Sequence, residues 1–403
     1  MNDDEYAALM LRPLAGEPAG PPGIDVPKAM RDGRRLRSRR WWTGSLGTLL
    51  VTGLITGGVL LAPGRHETPL PDLPPDPAVP AACTAGRLPA AGHRSAEVKA
   101  GDSTGRWLIG TSDALSKKPG VLVWHDGKVV ADRPVQADVW DINASGVGVG
   151  SRRINGKDYP YVIRDGRLIR LPGGIGDAAA INDAGVIVGT IGQNDQARPA
   201  RWRTPDSPPE LLPAALGIPG TATMIDIAPD GTAAVAASSL RPGIPTTGEN
   251  GRPNPDAWRH FTALWTPDGK VRALEAPGDT DFHAVGFAYG WLYGGGFPPV
   301  PGQGPLLRYH PDTGTWQQVA PAHRKAQVTG PSRWGKFIAD VPAIYVGTGV
   351  LELPKEMDAV RRGSGDFLVE TASDNAHVVA GTGVGVNSDP TKPFQPIIWT
   401  CHD

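Results

Sequence analysis

Residues 180–190 read AINDAGVIVGT, and residues 140–150 read WDINASGVGVG. The same phrase, an apolar run into an Asn-containing turn closed by glycine and then a second apolar run, recurs with its turn glycines thirty-nine residues apart (Gly146, Gly185). Further copies follow the same alignment: AGDSTGRWLIGT (100–111), DIAPDGTAAVA (226–236) and VGFAYGWLYGG (285–295), with weaker ones at 330–340 and 371–381. The anchor positions Gly105, Gly146, Gly185, Gly231, Gly290, Gly335 and Ala376 recur with a period near 40–45 residues, which marks a repeat architecture. The longer step from Gly231 to Gly290 contains an insertion at 238–261.

Each copy has a second half built on an Asp-Gly or Pro-Asp-Gly turn, as in VLVWHDGKVV (121–130), YVIRDGRLIRL (161–171) and ALWTPDGKVRAL (263–274). Gly and Asp tolerate the backbone angles that hairpin turns require. One unit is therefore four antiparallel strands, the content of a propeller blade. The expected fold is all-β, a seven-bladed β-propeller over 83–403, with one blade more or fewer left open. Glycine (53) and proline (42) make up nearly a quarter of the 403 residues and aromatics 6%, as suits short strands joined by turns.

The seventh copy ends at PIIWTC (396–401) without a fourth strand, whereas CTAGRLP (83–89) stands alone before the first copy and matches GRLIRLP (166–172). The N-terminal strand is expected to complete the last blade. That closure brings together Cys83 and Cys401, the two cysteines of the chain, and predicts a disulfide at the seam.

Ahead of the repeats, residues 41–64 contain no ionisable side chain, and 24 residues at about 1.5 Å each are enough to cross a hydrocarbon core of roughly 30 Å. The preceding KAMRDGRRLRSRR is strongly basic, so residues 1–40 are expected to be a cytoplasmic, largely disordered tail and the remainder extracytoplasmic. The long leader favours a retained signal anchor, at the cell membrane, over a cleaved signal peptide. Gly53 and Gly57 form a GxxxG pair in the span. Proline-dense residues 65–82 read as a semi-extended spacer. The tail is short enough to serve as a charge anchor or as a docking peptide for a cytoplasmic signalling partner.

The phrases INDAGVIVGT and DINASGVGVG, with Trp124, Trp202, Trp265 and Trp399 ending third strands, resemble the extracellular repeats known as the HAF family. The resemblance spans 83–401, and the fifth and sixth copies depart from it, with Tyr309 and Tyr345 near the Trp position. It implies an extracellular propeller and no defined activity.

Formal charge is −1, with no basic bias toward nucleic acid. Histidines fall in different copies without metal-ligand spacing, and no nucleophile elbow or phosphate loop occurs in a strand–helix context. Two groups of residues remain as binding candidates. Asp141 and Asp226 sit five residues before their turn glycines on innermost strands, with Glu370 near the corresponding place, where acids could face the central channel, bind calcium or act as an acid–base pair. The competing assignment is hydrogen bonding to backbone. No cofactor is expected beyond calcium at such acids. Trp258, Arg259 and His260, within the insertion, combine an aromatic and a cation of the kind found at interaction hot spots.

The connections between second and third strands vary in length while the other turns are uniform, so the variable rim is the expected recognition face. The leading expectation is a single-pass, membrane-anchored receptor or adhesion-like module for an extracellular protein or carbohydrate. The alternatives are an extracytoplasmic hydrolase or lyase with carboxylates at the channel, and a structural interaction scaffold.

Overall fold

The computed structural model describes residues 73, 75–113, 119–193, 197–212, 222–240, 243, 245–247, 257–278, 281–297, 305–320, 327–329, 335–338, 341–354, 367–383 and 393–403. All of them lie in the unit Pro69–Asp403. The tail, the expected membrane span at 41–64 and the first part of the spacer lie outside the described residues. Among the described residues no helix is long and apolar enough to cross a membrane.

Every regular element described is a strand, and the strands form seven four-stranded antiparallel sheets. Blade one comprises Ala96–Gly101, Trp107–Ser112, Gly120–His125 and Lys128–Arg133. Blade two comprises Asp138–Ile142, Gly148–Ile154, Lys157–Arg164 and Arg167–Arg170, and blade three Gly176–Ile181, Ile187–Ile191, Arg198–Trp202 and Glu210–Leu211. Blade four comprises Ala222–Ile227, Ala233–Leu240, Trp258–Trp265 and Val271–Ala273, and blade five Asp281–Ala288, Trp291–Phe297, Leu306–Tyr309 and Trp316–Ala320. Blade six comprises Gln327–Thr329, Gly335–Ile338, Val341–Val346 and Gly349–Glu352. Blade seven takes Phe367–Ala372, Val378–Gly383 and Gln395–His402 from the C-terminal end and Ala82–Arg87 from the N-terminal end.

The apolar residues explain why the sheets close into a ring. The buried clusters lie at the interfaces between blades. Val149, Val162 and Leu171 of blade two pack with Ala178, Ile187 and Trp202 of blade three. Equivalent clusters join three to four, four to five, five to six, six to seven, seven to one and one to two. A strand that is apolar on both faces suits a sheet covered on both faces. Val121, Leu122, Val123 and Trp124 in succession are all at most 5% exposed.

Three of the third-strand tryptophans also rivet neighbours together. The indole N–H groups of Trp124, Trp202 and Trp399 donate to the carbonyls of Pro89, Pro172 and Pro354, each just past the fourth strand of the preceding blade. Pro89 and Pro172 end the two matched phrases CTAGRLP and GRLIRLP. The borrowed strand therefore supplies both a ladder and an indole acceptor.

At the seam, Ala82–Arg87 pairs antiparallel with Gln395–His402, placing Cys83 opposite Cys401. The two form a disulfide across a sequence separation of 318. The connection from this strand into blade one is pinned by His93, whose Nδ1 lies 3.0 Å from Asp113 and whose Nε2 lies 3.0 Å from Asp132. Burial alone would lower the His93 pKa, but hydrogen bonds and charge from Asp132 and Asp113 outweigh it and raise the value. The clamp is therefore fully present below the ordinary histidine value and is lost as pH rises through the raised one. In thermal unfolding from pH 5 to 9, the alkaline decline expected for the native chain should be reduced in His93→Gln; an unchanged profile would refute the clamp.

The repeat phrase has two glycines with different duties. Gly146 and Gly185 hold φ of +73° and +80° in their hairpin turns, a region costly for other L-residues. The later Gly150 and Gly189 face the carbonyl oxygens of Asp138 and Asp177, and a Cβ at either would collide with those oxygens. Gly110, Gly294 and Gly381 are in the same situation against Glu97, His283 and Leu368. Gly189→Ala is expected to cost more than about 2 kcal/mol in urea unfolding, because backbone rather than a movable side chain must yield.

Candidate functional site

First strands contact the first strands of adjacent blades, so they are the innermost and surround the channel. In six of the seven sheets this strand carries a β-bulge at the same place: Lys99, Trp140, Ala179, Ile225, Val285 and Glu370 are skipped in the pairing with the second strand. A bulge adds one residue and reverses the phase of all that follow. Asp141 and Asp226 come immediately after it. They consequently leave the face of Val139 and Met224, which pack on the preceding blade, and turn toward the next one, where they are 1% and 3% exposed.

Their carboxylates are engaged by backbone on both oxygens. Asp141 accepts the N–H of Ile142 (2.9 Å) and of Ile181 in blade three (2.9 Å). Asp226 accepts the N–H of Ile227 (2.8 Å) and of Phe287 in blade five (2.7 Å). Of the two assignments weighed for these aspartates, the hydrogen-bonding one describes their geometry, with the bond running to the neighbouring blade as well as locally. Glu370 is at the bulge itself, one position earlier than Asp141 in its repeat; the matching residue is Thr371, whose hydroxyl lies 3.4 Å from the carbonyl of Gly101 in blade one. Burial raises the pKa of Glu370, nearby Lys99 lowers it and Glu97 raises it further. Lys99 Nζ lies 2.5 Å from Glu97.

The turns between first and second strands meet around the mouth of the channel. Asn143 donates its side-chain amide to the Asn182 carbonyl of the next blade (3.1 Å), and Asn182 donates to the Ala228 carbonyl of the one after (3.2 Å). The Asn side chains thus join blades as well as closing their own turns, where Asn143 Oδ1 accepts the N–H of Ser145 and Val147. Ser103 of blade one reaches Asp183 of blade three (3.1 Å), which also accepts the Ala144 N–H (2.8 Å).

These turns enclose a cavity of about 290 Å³. Its wall includes Ile142, Ile181, Ile227, Phe287 and Ala288, with Tyr289 beside them. Asp183, Asp230, Asp312 and Asp374, all exposed, stand at its opening, while Asp226 lies within it. Among the described residues no Lys, Arg or His lines the cavity. An apolar wall beneath fixed carboxylates favours a ligand with a cationic group on an apolar body. Among the described residues no group of three or more His, Cys, Asp or Glu is arranged to hold a metal ion.

This seat is on the rim of the uniform turns, opposite the rim expected to bind. Most of the variable connections, including 114–118, 194–196, 298–304 and 384–392, lie outside the described residues. Trp258, Arg259 and His260 were expected in a loop-like insertion. Their backbone instead continues the hairpin of blade four, pairing with Leu240, Ser239 and Ser238, and their side chains lie outside the description. The structure brings Asp226 to the mouth cavity.

The aspartates at the opening were missed by sequence reasoning because each looks like an ordinary turn residue. Only the ring, by gathering the first turns of blades three, four and seven with the outer turn of blade five, makes a collar of them.

No family model matches the chain, and no curated protein matches it. Solved propeller structures do. The β-propeller domain of the Trilobed protease from Pyrococcus furiosus, described as having an open velcro topology, aligns with TM-score 0.50 at 10% identity, covering 76% of this chain and 94% of that one. Oligogalacturonate lyase from Vibrio parahaemolyticus aligns with TM-score 0.49 at 9% identity, covering 81% and 96%. A structure from work on two prolyl endopeptidases aligns with TM-score 0.48 at 10% identity and covers 72% of this chain, which spans about half (46%) of that one. At such identities the likeness is one of fold. The pairing of Ala82–Arg87 with Gln395–His402 closes this ring through its termini.

Proposed function

We propose that this chain is a membrane-anchored, extracytoplasmic β-propeller that acts as a binding module, with its ligand seated at the channel mouth on the uniform-turn rim. The observation that carries this reading is the cavity of about 290 Å³, lined by apolar side chains and opened by exposed carboxylates, with no cation among its described lining residues. Pockets of this size suit a small ligand or one side chain of a larger partner. The ligand proposed is a primary amine or guanidinium on an apolar body, free or carried by an extracellular protein. Placement outside the cytoplasm is supported by the basic cluster before residues 41–64 and by a disulfide at the ring seam.

The test is a thermal-shift and calorimetric screen of the full-length protein with benzylamine, putrescine and arginine amide beside neutral isosteres. Amines should bind and their isosteres should not, with affinity falling at least fivefold in Asp312→Asn/Asp374→Asn and falling with added salt. Amine binding indifferent to both variant and salt would overturn the reading.

A second reading, an extracytoplasmic hydrolase or lyase, is favoured by one observation at the bulge layer. Glu370, whose pKa is raised by burial, stands near Glu97 and Lys99, and a carboxyl group that holds its proton more tightly is suited to general-acid work. Turnover of any glycan or peptide substrate that is lost in Glu370→Gln without loss of folding would support it.

A further inference from the structure

Arg201 and Arg308 occupy the same place in the repeat. Each precedes the aromatic residue at the end of its third strand (Trp202, Tyr309), and each lies opposite a fourth-strand partner, Glu210 and Gln317 respectively. Both guanidinium groups are deeply buried, with side chains 5% and 4% exposed. A charge so enclosed needs a counter-charge and full hydrogen bonding.

In blade three the repeat meets that need by itself. Arg201 pairs with Glu210 (2.9 Å), donates to the carbonyls of Thr266 and Pro267 in blade four, and lies over the Trp265 ring. In blade five the acid is missing, because Gln317 offers Arg308 only a neutral oxygen (2.6 and 2.9 Å). Trp291 lies beneath the guanidinium at 4.1 Å and the Tyr293 hydroxyl accepts from it at 3.2 Å.

The carboxylate comes from Asp76, ahead of the first strand of the ring. It accepts two bonds from Arg308 (2.5 and 3.0 Å), and the N–H and hydroxyl of Thr348 in the outer turn of blade six lie 3.2 and 3.3 Å from it. The turn leaves room for this segment: a Cβ at Gly347 would collide with the Asp76 side chain, and one at Gly349 with Val79. The run then continues to Ala81, whose N–H donates to the His402 carbonyl (2.9 Å).

We infer that residues 75–81 form a strap belonging to the propeller, latched by Asp76 in the place of the acid that blade five lacks, so that the chain preceding it leaves the ring at the outer turn of blade six. Tension applied from the N-terminal side then loads the Asp76–Arg308 pair before it reaches the seam strand and its disulfide. Outer turns share the rim of the first-to-second-strand turns, which places the attachment on the same rim as the mouth cavity. The inference stands whether or not that cavity binds a ligand.

The test uses the full-length chain and two readouts: the melting temperature, and amide hydrogen exchange of the non-proline residues between Asp76 and Cys83. Asp76→Asn should lower the melting temperature by roughly 3–6 °C and speed exchange in the strap at least tenfold. Adding Gln317→Glu should restore the melting temperature, because it gives Arg308 the partner that Glu210 gives Arg201, while leaving the strap in fast exchange. Asp76 is only partly buried, so the variant keeps its core. Unchanged exchange in Asp76→Asn would overturn the strap, and failure of Gln317→Glu to restore stability would overturn the substitution of one acid for the other.

Discussion

Reduction of the Cys83–Cys401 disulfide is expected to cost roughly 5 kcal/mol, the value chain-entropy arguments give for a loop of this length. The bond closes 318 residues of sequence separation, nearly the whole ring. Without it, Ala82–Arg87 is held by its ladder with Gln395–His402, by the Pro89 carbonyl on the Trp124 indole and by the strap. Cys83→Ser/Cys401→Ser should therefore unfold at much lower denaturant, with increased exchange first in the strand 82–87 and then in blade seven. A double variant as stable as the native chain would show that the ladder alone closes the ring.

Asp226→Ala is expected to cost about 2–4 kcal/mol, and Asp141→Ala a similar amount, because each strands two buried N–H groups on two blades. The Ile227 and Phe287 amides have the buried Asp226 carboxylate as their acceptor. Asp226→Asn should be intermediate, since one carboxamide oxygen can still accept. Calcium should alter none of these melting temperatures. A calcium-dependent stabilisation of the native chain, lost in these variants, would return both aspartates to the list of channel ligands. Urea unfolding with and without calcium measures both effects.

The architecture was legible because its signals are local and repeated. The turn glycines need positive φ, three of the four third-strand tryptophans meet a neighbouring carbonyl, and RLP at 87–89 repeats RLP at 170–172 closely enough to identify a donated strand. The direction of Asp141 and Asp226 was not legible. Their place on an innermost strand fits either the channel or a neighbouring blade, and the bulge at Trp140 and Ile225 takes them out of phase with Val139 and Met224, which face the preceding blade, and toward the following one. The consequence of that bulge was nevertheless written in the phrase itself, in Gly150 and Gly189, where the second strand approaches the first too closely for a side chain.

The strap was hidden for a different reason. Proline-dense sequence argues correctly against helix and sheet, but it says nothing about docking, and the acid that Arg308 requires lies 232 residues away. Its trace was the exchange of Glu210 for Gln317 at one position of the repeat. The collar of Asp183, Asp230, Asp312 and Asp374 was likewise invisible to spacing, since its members come from different blades. Recognition was expected where loops vary; the cavity formed where turns are alike, because uniform turns converge on the channel axis.

Hydrogen exchange across the whole chain, with and without saturating benzylamine, tests the placement of the ligand seat most directly. The expected result is slowed exchange in the first turns at 102–105, 143–146, 182–185, 228–231 and 287–290 and in the outer turn at 311–314, with none at 112–120, 192–198 or 238–261. Protection confined to the connections between second and third strands, or absent from both rims, would contradict a seat at the channel mouth.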